Sequence, residues 1–480
     1  MSIKRIAGAA LACVMAAGML VGCGGGSASN GGSAAKPSAT AAPTPTPEPP
    51  YEANVLTGEP RSESYIPERI TGVMVNNLTA ARPQRGLSQA DILMEIKVEG
   101  GITRFMAMYS NYQDIPEIGP IRSGRDQFFR LLLPFEGLYV HEGESVVMKQ
   151  YAVDYNYGDW NINNGAYGYR DYSRVNWQGK THNTGLATEH TMYTTGENIG
   201  KYISSNDVDM SRDYKSTFFK FRDYRFNSEP RVIENGEEAG LVTITHSASY
   251  KTRFIYDEST GLYKMQQYYG TDFQWRDSVD ENNNENLKFT NLLVLYTDIH
   301  TYPGHETKDL QYVDYDFGGV GFYFTGGKCE KIYWQKGTPL EALRLYYLTE
   351  DGQCSDIPVE INTGKSYVAV TDIDFAENFV HSKLDGVDLS SATTVTYERS
   401  YVEDDAKAGD TLGMSTDDLT NNATGAGEAE DSNAEDTTSG ESYTEDTTGS
   451  EETTGDTTGD TTGGEEYVEP SADGEETPAE

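Results

Sequence analysis

The sequence predicts an α+β fold: a mixed α/β N-terminal domain followed by a β-rich C-terminal domain, flanked by disordered segments. Three observations carry this. Residues 92–133 alternate as two strands around Gly100-Gly101 and then take up a helical spacing of apolar residues. After about Asp207 the pattern is mainly of period two, punctuated by Asn-Gly, Thr-Gly and Gly-Gly pairs suited to turns. Residues 24–50 and 401–480 hold too little apolar surface to build a core.

The chain opens with Lys4 and Arg5, an apolar run from Ile6 to Leu20, and Leu20-Val21-Gly22-Cys23. That is the layout of a lipoprotein signal peptide over 1–22. Cleavage would leave Cys23 as a lipidated N-terminus, and two or three acyl chains anchor stably where one does not. A plain secretory signal with an incidental cysteine is the alternative. Residues 23–50, ending "PTPTPEPP", read as a flexible Pro/Ala/Ser tether. The location expected is extracytoplasmic, on the outer face of the bacterial cell membrane.

Two folded domains are expected, 51–205 and 206–400. "ITGVMVNN" (70–77) reads as a first strand, and 82–91 as a turn with a short helical piece. In "ILMEIKVEGGITRFMAMYS" (92–110) a two-residue turn at Gly100-Gly101 would pair Val98 with Thr103, Lys97 with Arg104 and Ile96 with Phe105. Alternation then puts Ile92, Met94, Ile96, Val98, Phe105, Ala107 and Tyr109 on a core face. Glu95, Lys97, Glu99, Arg104 and Met106 fall on the other. "EIGPIRSGRDQFF" (117–129) follows, with Ser123 predicted as N-cap and Asp126 completing a capping box. Residues 137–141 read as a strand and 144–153 as a helix capped by Ser145. The Tyr-, Asn- and Gly-rich stretch 154–181 is a long irregular segment, of the kind that often carries function. In the second half, 291–299 and the runs on either side of Gly326-Gly327 are strands.

The tail, 401–480, repeats Asp-Thr-Thr-Gly imperfectly. From Tyr401 onward 25 residues are acidic and one is lysine, a net of −24 within the whole-chain −39. Such a balance argues against nucleic acid as a partner, since that needs a basic surface, and no nucleic acid is expected.

The strings "ARPQRGLSQADILMEIKVEGGITRFMAMYS", "EIGPIRSGRDQFF", "YVHEGES", "HNT", "NLLVLYTDI", "GGVGFYFTGGKCEKIYWQKG" and "VEINTGKSYVAV" resemble the YerB-like bacterial lipoproteins, with their paired domains of unknown function 3048. The resemblance covers roughly residues 54–375. It implies a lipid-anchored, two-domain α/β protein outside the membrane, and no particular activity.

Arg122 and Arg125 flank a helix start, where the partial positive charge of the helix end disfavours them. Two guanidiniums beside free N–H groups make an anion pocket. Either Glu95 and Glu99 fill it as a structural network, or an external phosphate or carboxylate does. Asp126, Arg104, His141, His182 and Asn183 complete the set of ligand-binding candidates. His141, at a strand end beside "EGES", reads either as a general base or as a histidine bonded to loop backbone. His141, His182 and His190 match no zinc spacing, so no metal is expected, and no cofactor motif occurs. "GES" at 143–145 is not a nucleophile elbow, "NTGKSY" lacks the first glycine of a phosphate loop, and "DENNNENLKFTN" lacks the glycine and closing glutamate of a calcium loop. Tyr151–Tyr172 with Trp160 and Trp177 form either a sugar-stacking platform or packing. Cys329 and Cys354 either pair, for about 3 kcal/mol, or stay as thiols. These residues predict a binding or scaffold module for an anionic cell-wall component or an envelope protein. The alternative is a hydrolase acting on cell-wall material, with Glu99 or His141 as general base.

Overall fold

In the computed structural model, residues 53–61, 66–271, 273–378, 380–382 and 393–394 are described. The signal peptide, Cys23, the tether and the acidic tail lie outside them. The elements in chain order are β1 (Thr71–Asn76), β2 (Ile92–Lys97), β3 (Thr103–Tyr109), α1 (Asp126–Leu132), β4 (Leu138–His141), α2 (Val146–Asp154), β5 (Asn161–Asn163) and α3 (Gly196–Ser205). Then come β6 (Leu241–Thr245), β7 (Lys251–Asp257), β8 (Leu262–Tyr269), β9 (Gln274–Asp277), β10 (Asn291–Thr297), β11 (Gly319–Thr325), β12 (Lys328–Gln335), β13 (Arg344–Leu348), β14 (Cys354–Pro358) and β15 (Ser366–Asp372). The fold is α+β as predicted, with the helices in the N-terminal half and a β-rich second half.

One large sheet runs through both halves, in the order β14-β13-β12-β11-β10-β15-β2-β3-β1-β4-β5. The join is a parallel pairing of β2 with β15, from Ile92↔Ser366 to Ile96↔Val370. A second sheet, built on β9-β8-β7-β6, covers one face. Val73, Val75, Leu93, Phe105 and Ala107 from the first half share one core with Val242, Ile244, Phe254, Met265 and Tyr367 from the second. The opposite face is covered by α1. A Cβ added at Gly72 would lie 3.3 Å from Leu132, and the Phe129 and Tyr139 rings sit 5.9 Å apart. Every residue of β1, β3, β10 and β15 is therefore buried, as expected for strands covered on both faces.

That double burial corrects the predicted hairpin. The loop between β2 and β3 has three residues, not two. Glu99–Gly101 makes a 3₁₀ turn, with Gly100 and Gly101 at φ 63° and 67°. The Val98 N–H donates to Ile102 O at 2.8 Å. Lys97 thus pairs with Thr103, Ile96 with Arg104 and Glu95 with Phe105. A one-residue slip moves side chains between faces. Glu95 joins Phe105 and Ala107 toward the second sheet, while Arg104 and Met106 join Ile96 and Met94 toward α1.

The helix start is corrected too. Arg125, not Ser123, is the N-cap of α1, and no side chain caps it. The Arg125 N–H donates to the Tyr139 hydroxyl instead, at 3.1 Å. The Ser123 carbonyl accepts from Arg104 Nη1 at 2.6 Å. Ser145 does cap α2, its hydroxyl accepting from the Met148 N–H at 3.0 Å. Thr325 pairs with Lys328 around Gly326-Gly327. Both glycines have positive φ, 59° and 74°, the geometry of a type I′ hairpin.

Cys329 and Cys354 are not bonded to each other. They lie on β12 and β14, with β13 between them. Two strand spacings, roughly 9–10 Å, exceed the reach of a disulfide.

Candidate functional site

The predicted Arg/Glu cluster divides between the two faces of the β2–β3 hairpin. On the α1 face, Glu99 leaves the turn and Arg104 rises from β3. Arg125 arrives from the segment that starts the helix. Arg125 Nε bonds Glu99 Oε1, and Arg104 Nη2 lies 3.7 Å from Glu99 Oε2. Arg122 is held apart from them by its own partner, with Nη1 3.6 Å from Glu189 Oε2. Arg104 is almost wholly buried. Its guanidinium is held well below its ordinary pKa, first by burial and then by the like charge of Arg125, with Glu99 opposing and Arg122 adding to the shift. A guanidinium stays charged in a protein, so the shift marks the cost of burying that charge beside a second guanidinium. Consistently, Arg104 Nε and Arg122 Nε are buried without a hydrogen-bond partner. The Gly124 backbone packs closely against two rings. A Cβ there would stand 3.0 Å from both the Tyr139 and the His141 ring.

Glu95, predicted to fill the arginine pocket, faces the other way. It is 1% exposed. Its Oε1 accepts from Asn77 Nδ2 at 3.0 Å and from the Thr103 hydroxyl at 2.7 Å. Its Oε2 accepts from the Thr252 hydroxyl at 2.8 Å and the Tyr367 hydroxyl at 2.7 Å. His246 Nε2 is 3.5 Å away, and burial lowers that imidazole's pKa. Asn77 Oδ1 in turn accepts from Gln84 at 3.1 Å and Gln267 at 2.6 Å. Glu95 is the centre of a closed network tying the first half to the second. Sequence reasoning missed Asn77 and Thr103 because it put Glu95 on the wrong face, and Thr252 and Tyr367 because they lie 157 and 272 residues along the chain.

Asp126 also leaves the cluster. It is 2% exposed, accepts from the Tyr302 hydroxyl at 2.7 Å and lies 3.6 Å from Arg130. Burial raises its pKa. Arg130 sits against the Tyr312 and Tyr315 rings, 5.2 and 4.7 Å from their centres, another seam between the halves. His141 is fully buried. Its Nδ1 is 2.8 Å from Gly143 O and its Nε2 is 2.7 Å from Asn161 Oδ1. Burial lowers its pKa against the Asn161 bond and Glu144. His182 and Asn183 are exposed in a 3₁₀ turn. The His182 ring lies tilted against Tyr172, their centres 4.6 Å apart. His190 Nδ1 is bonded to Asn76 Nδ2 at 2.9 Å. Among the described residues, no three metal-ligating side chains converge, and no helix is long and apolar enough to cross a membrane.

Of the tyrosines and tryptophans in the irregular segment, Tyr157 is packed, its ring edge-on to Phe129 at 4.9 Å. Trp160 lies under Arg69 at 3.8 Å. Trp177 is edge-on to Tyr269 at 4.9 Å. Tyr167, Tyr169 and Tyr172 are exposed.

These features define a two-part α+β protein whose halves share one sheet and one core and whose ionisable residues gather at the seam. Residues 56–209 match the N-terminal domain of the family described as "Protein of unknown function (DUF3048)", and residues 242–368 match its C-terminal domain. The chain belongs to that family. A relative from Bacillus subtilis (strain 168), named "Putative lipoprotein YerB", is 26% identical over 286 residues, or 58% of this chain and 77% of the relative. The crystal structure of YerB protein from Bacillus subtilis superimposes with a TM-score of 0.52 at 21% identity, over 66% of this chain and 96% of that one. At that identity the likeness bears on the fold.

Proposed function

We propose that this chain is a lipid-anchored extracytoplasmic binding module, tethered through Cys23, whose arginine cluster receives an anionic group of an envelope component or protein partner. The lipobox-like Leu20-Val21-Gly22-Cys23 and the lipoprotein name of the relative support the anchor. One observation carries the binding reading. Three guanidiniums, Arg104, Arg122 and Arg125, face two carboxylates, Glu99 between Arg104 and Arg125 and Glu189 beside Arg122. An anion arriving beside Arg122 would meet the net positive charge of three guanidiniums against two carboxylates and the buried, unbonded Nε of Arg122.

Arg122 and Arg125 have separable roles in this reading. Arg125 closes on Glu99 and supports the fold, whereas Arg122 is the partly exposed contact. Calorimetric titration with muropeptides, whose carboxylates suit guanidinium forks, tests it. Arg122→Ala should keep its melting temperature within about 2 °C and weaken binding at least about tenfold. Arg125→Ala should melt several degrees lower. Unchanged binding by a well-folded Arg122→Ala protein would overturn the site. Cys23→Ala should move the protein from the membrane fraction to the soluble fraction, and retention in the membrane would overturn the anchor.

A further inference from the structure

The segment 212–220, "RDYKSTFFK", joins the two family domains and crosses the far edge of the large sheet. Its path is fixed by backbone bonds. The Phe218 N–H donates to Val55 O at 2.6 Å, Phe221 bridges to Ile361, and Arg344 Nη1 on β13 donates to Phe218 O at 3.3 Å. Beside this segment lies a cleft of about 640 Å³. Four of its lining residues are cations: Arg61, Lys215, Lys220 and Arg344. One is an anion, Asp213. Lys215, Lys220 and Arg344 are exposed. Ser216 and Thr217 are polar residues of the same wall, and Phe219 and Pro358 give an apolar one. A second cavity of about 400 Å³ shares Asp213–Ser216 and Arg344 with the first.

A charge of +3 in one concavity is conspicuous in a chain whose formal net charge is −39. Asp213 bonds Lys215 and lies 3.9 Å from Arg61, so it is Lys220 and Arg344, without a carboxylate partner among the described residues, that add positive charge for an anion to compensate. Ammonium groups act as point charges toward phosphate, and neighbouring hydroxyls suit a hydroxylated backbone. Two adjoining cavities give room for more than one repeat. We propose that this cleft is a binding site for a soluble, phosphodiester-linked polyol chain, one phosphate facing the Lys215–Lys220–Arg344 group and the polyol lying against Ser216 and Thr217. The same phosphate and glycerol occur in lipid headgroups, but a bilayer surface cannot enter a concave cleft. The site shares no residue with the arginine cluster at Arg122, so the two stand or fall separately.

The test is calorimetric titration of the full chain with oligo(glycerol phosphate), run beside flotation with phosphatidylglycerol vesicles. Lys215→Glu/Lys220→Glu changes two exposed side chains and should leave the melting temperature unchanged. It should weaken oligomer binding at least about tenfold, and the wild-type affinity should fall steeply with added salt. Arg122→Ala should bind the oligomer as the wild type does. No binding by the wild type, equal binding by the double variant, or binding to vesicles and not to the oligomer would each overturn the proposal. Loss of binding in Arg122→Ala with the double variant unaffected would place the phosphate at the other site and overturn it as well.

Discussion

Glu95→Ala tests whether the seam between the halves holds the fold together. The carboxylate accepts from four groups, Asn77 Nδ2 and the hydroxyls of Thr103, Thr252 and Tyr367, all buried. Hydrogen bonds to a charged acceptor contribute roughly 1.5–3 kcal/mol each, and a buried donor left without an acceptor costs about 1–3 kcal/mol. The losses do not add fully, because Asn77 Nδ2 also reaches Thr103 Oγ1 at 2.8 Å and water can enter the gap. The net expected is about 4 kcal/mol, a large part of the stability of a typical domain. Glu95→Gln keeps the shape. Its amide oxygen serves one side and its N–H₂ meets two hydroxyls that can turn to accept, so its cost should be about 1–2 kcal/mol. Urea unfolding followed by tryptophan fluorescence and by far-UV circular dichroism measures both. The wild type should unfold in one transition by both probes, since β2 and β15 are neighbours in one sheet. If Glu95→Ala lay within 1 kcal/mol of the wild type, or Glu95→Gln cost as much as alanine, the carboxylate would not be the keystone argued here.

Two further outcomes follow from the buried groups. Burial holds the His190 imidazole down at about 4, against an ordinary value near 6.5, and lowers His141 and His246 as well. The unfolded chain then binds more protons than the folded one between about pH 4 and 6.5, so stability rises with pH across that window. His190 alone should cost up to about 3 kcal/mol as pH falls through it, and a proton NMR titration should find its ring still neutral at pH 5. A protonated His190 ring at that pH would contradict the assignment. Because Cys329 and Cys354 sit on strands separated by β13, dithiothreitol should leave the melting temperature of the full chain unchanged, and a drop of several degrees would mean they are bonded after all.

What the sequence made legible was local. Ser145 caps the helix it precedes, Gly326-Gly327 turns the hairpin it interrupts, and Glu99, Arg104 and Arg125 meet because a turn and a short connection bring them together. What stayed hidden needed partners distant along the chain or a choice between equivalent faces. The 92–109 hairpin carries apolar residues on both faces in either register, and its charged residues can be buried on either side, so the alternation alone did not fix the register. Only the three-residue turn, read from the backbone, separates Glu95 from Glu99. "SYVAV" reads plainly as a strand, but nothing in it names β2 as its neighbour. That single parallel pairing makes one sheet of two family domains and brings Thr252 and Tyr367 onto Glu95. The basic cleft has the same origin. Arg61, Lys215, Lys220 and Arg344 come from an N-terminal turn, the connection between domains and the strand next to the sheet edge. Read singly, each is an ordinary surface cation. The fold supplies the reason to read them together, because the connection is pinned at Val55 on one side and Ile361 on the other. Substitutions that loosen those anchors should therefore weaken phosphate binding without touching any charge.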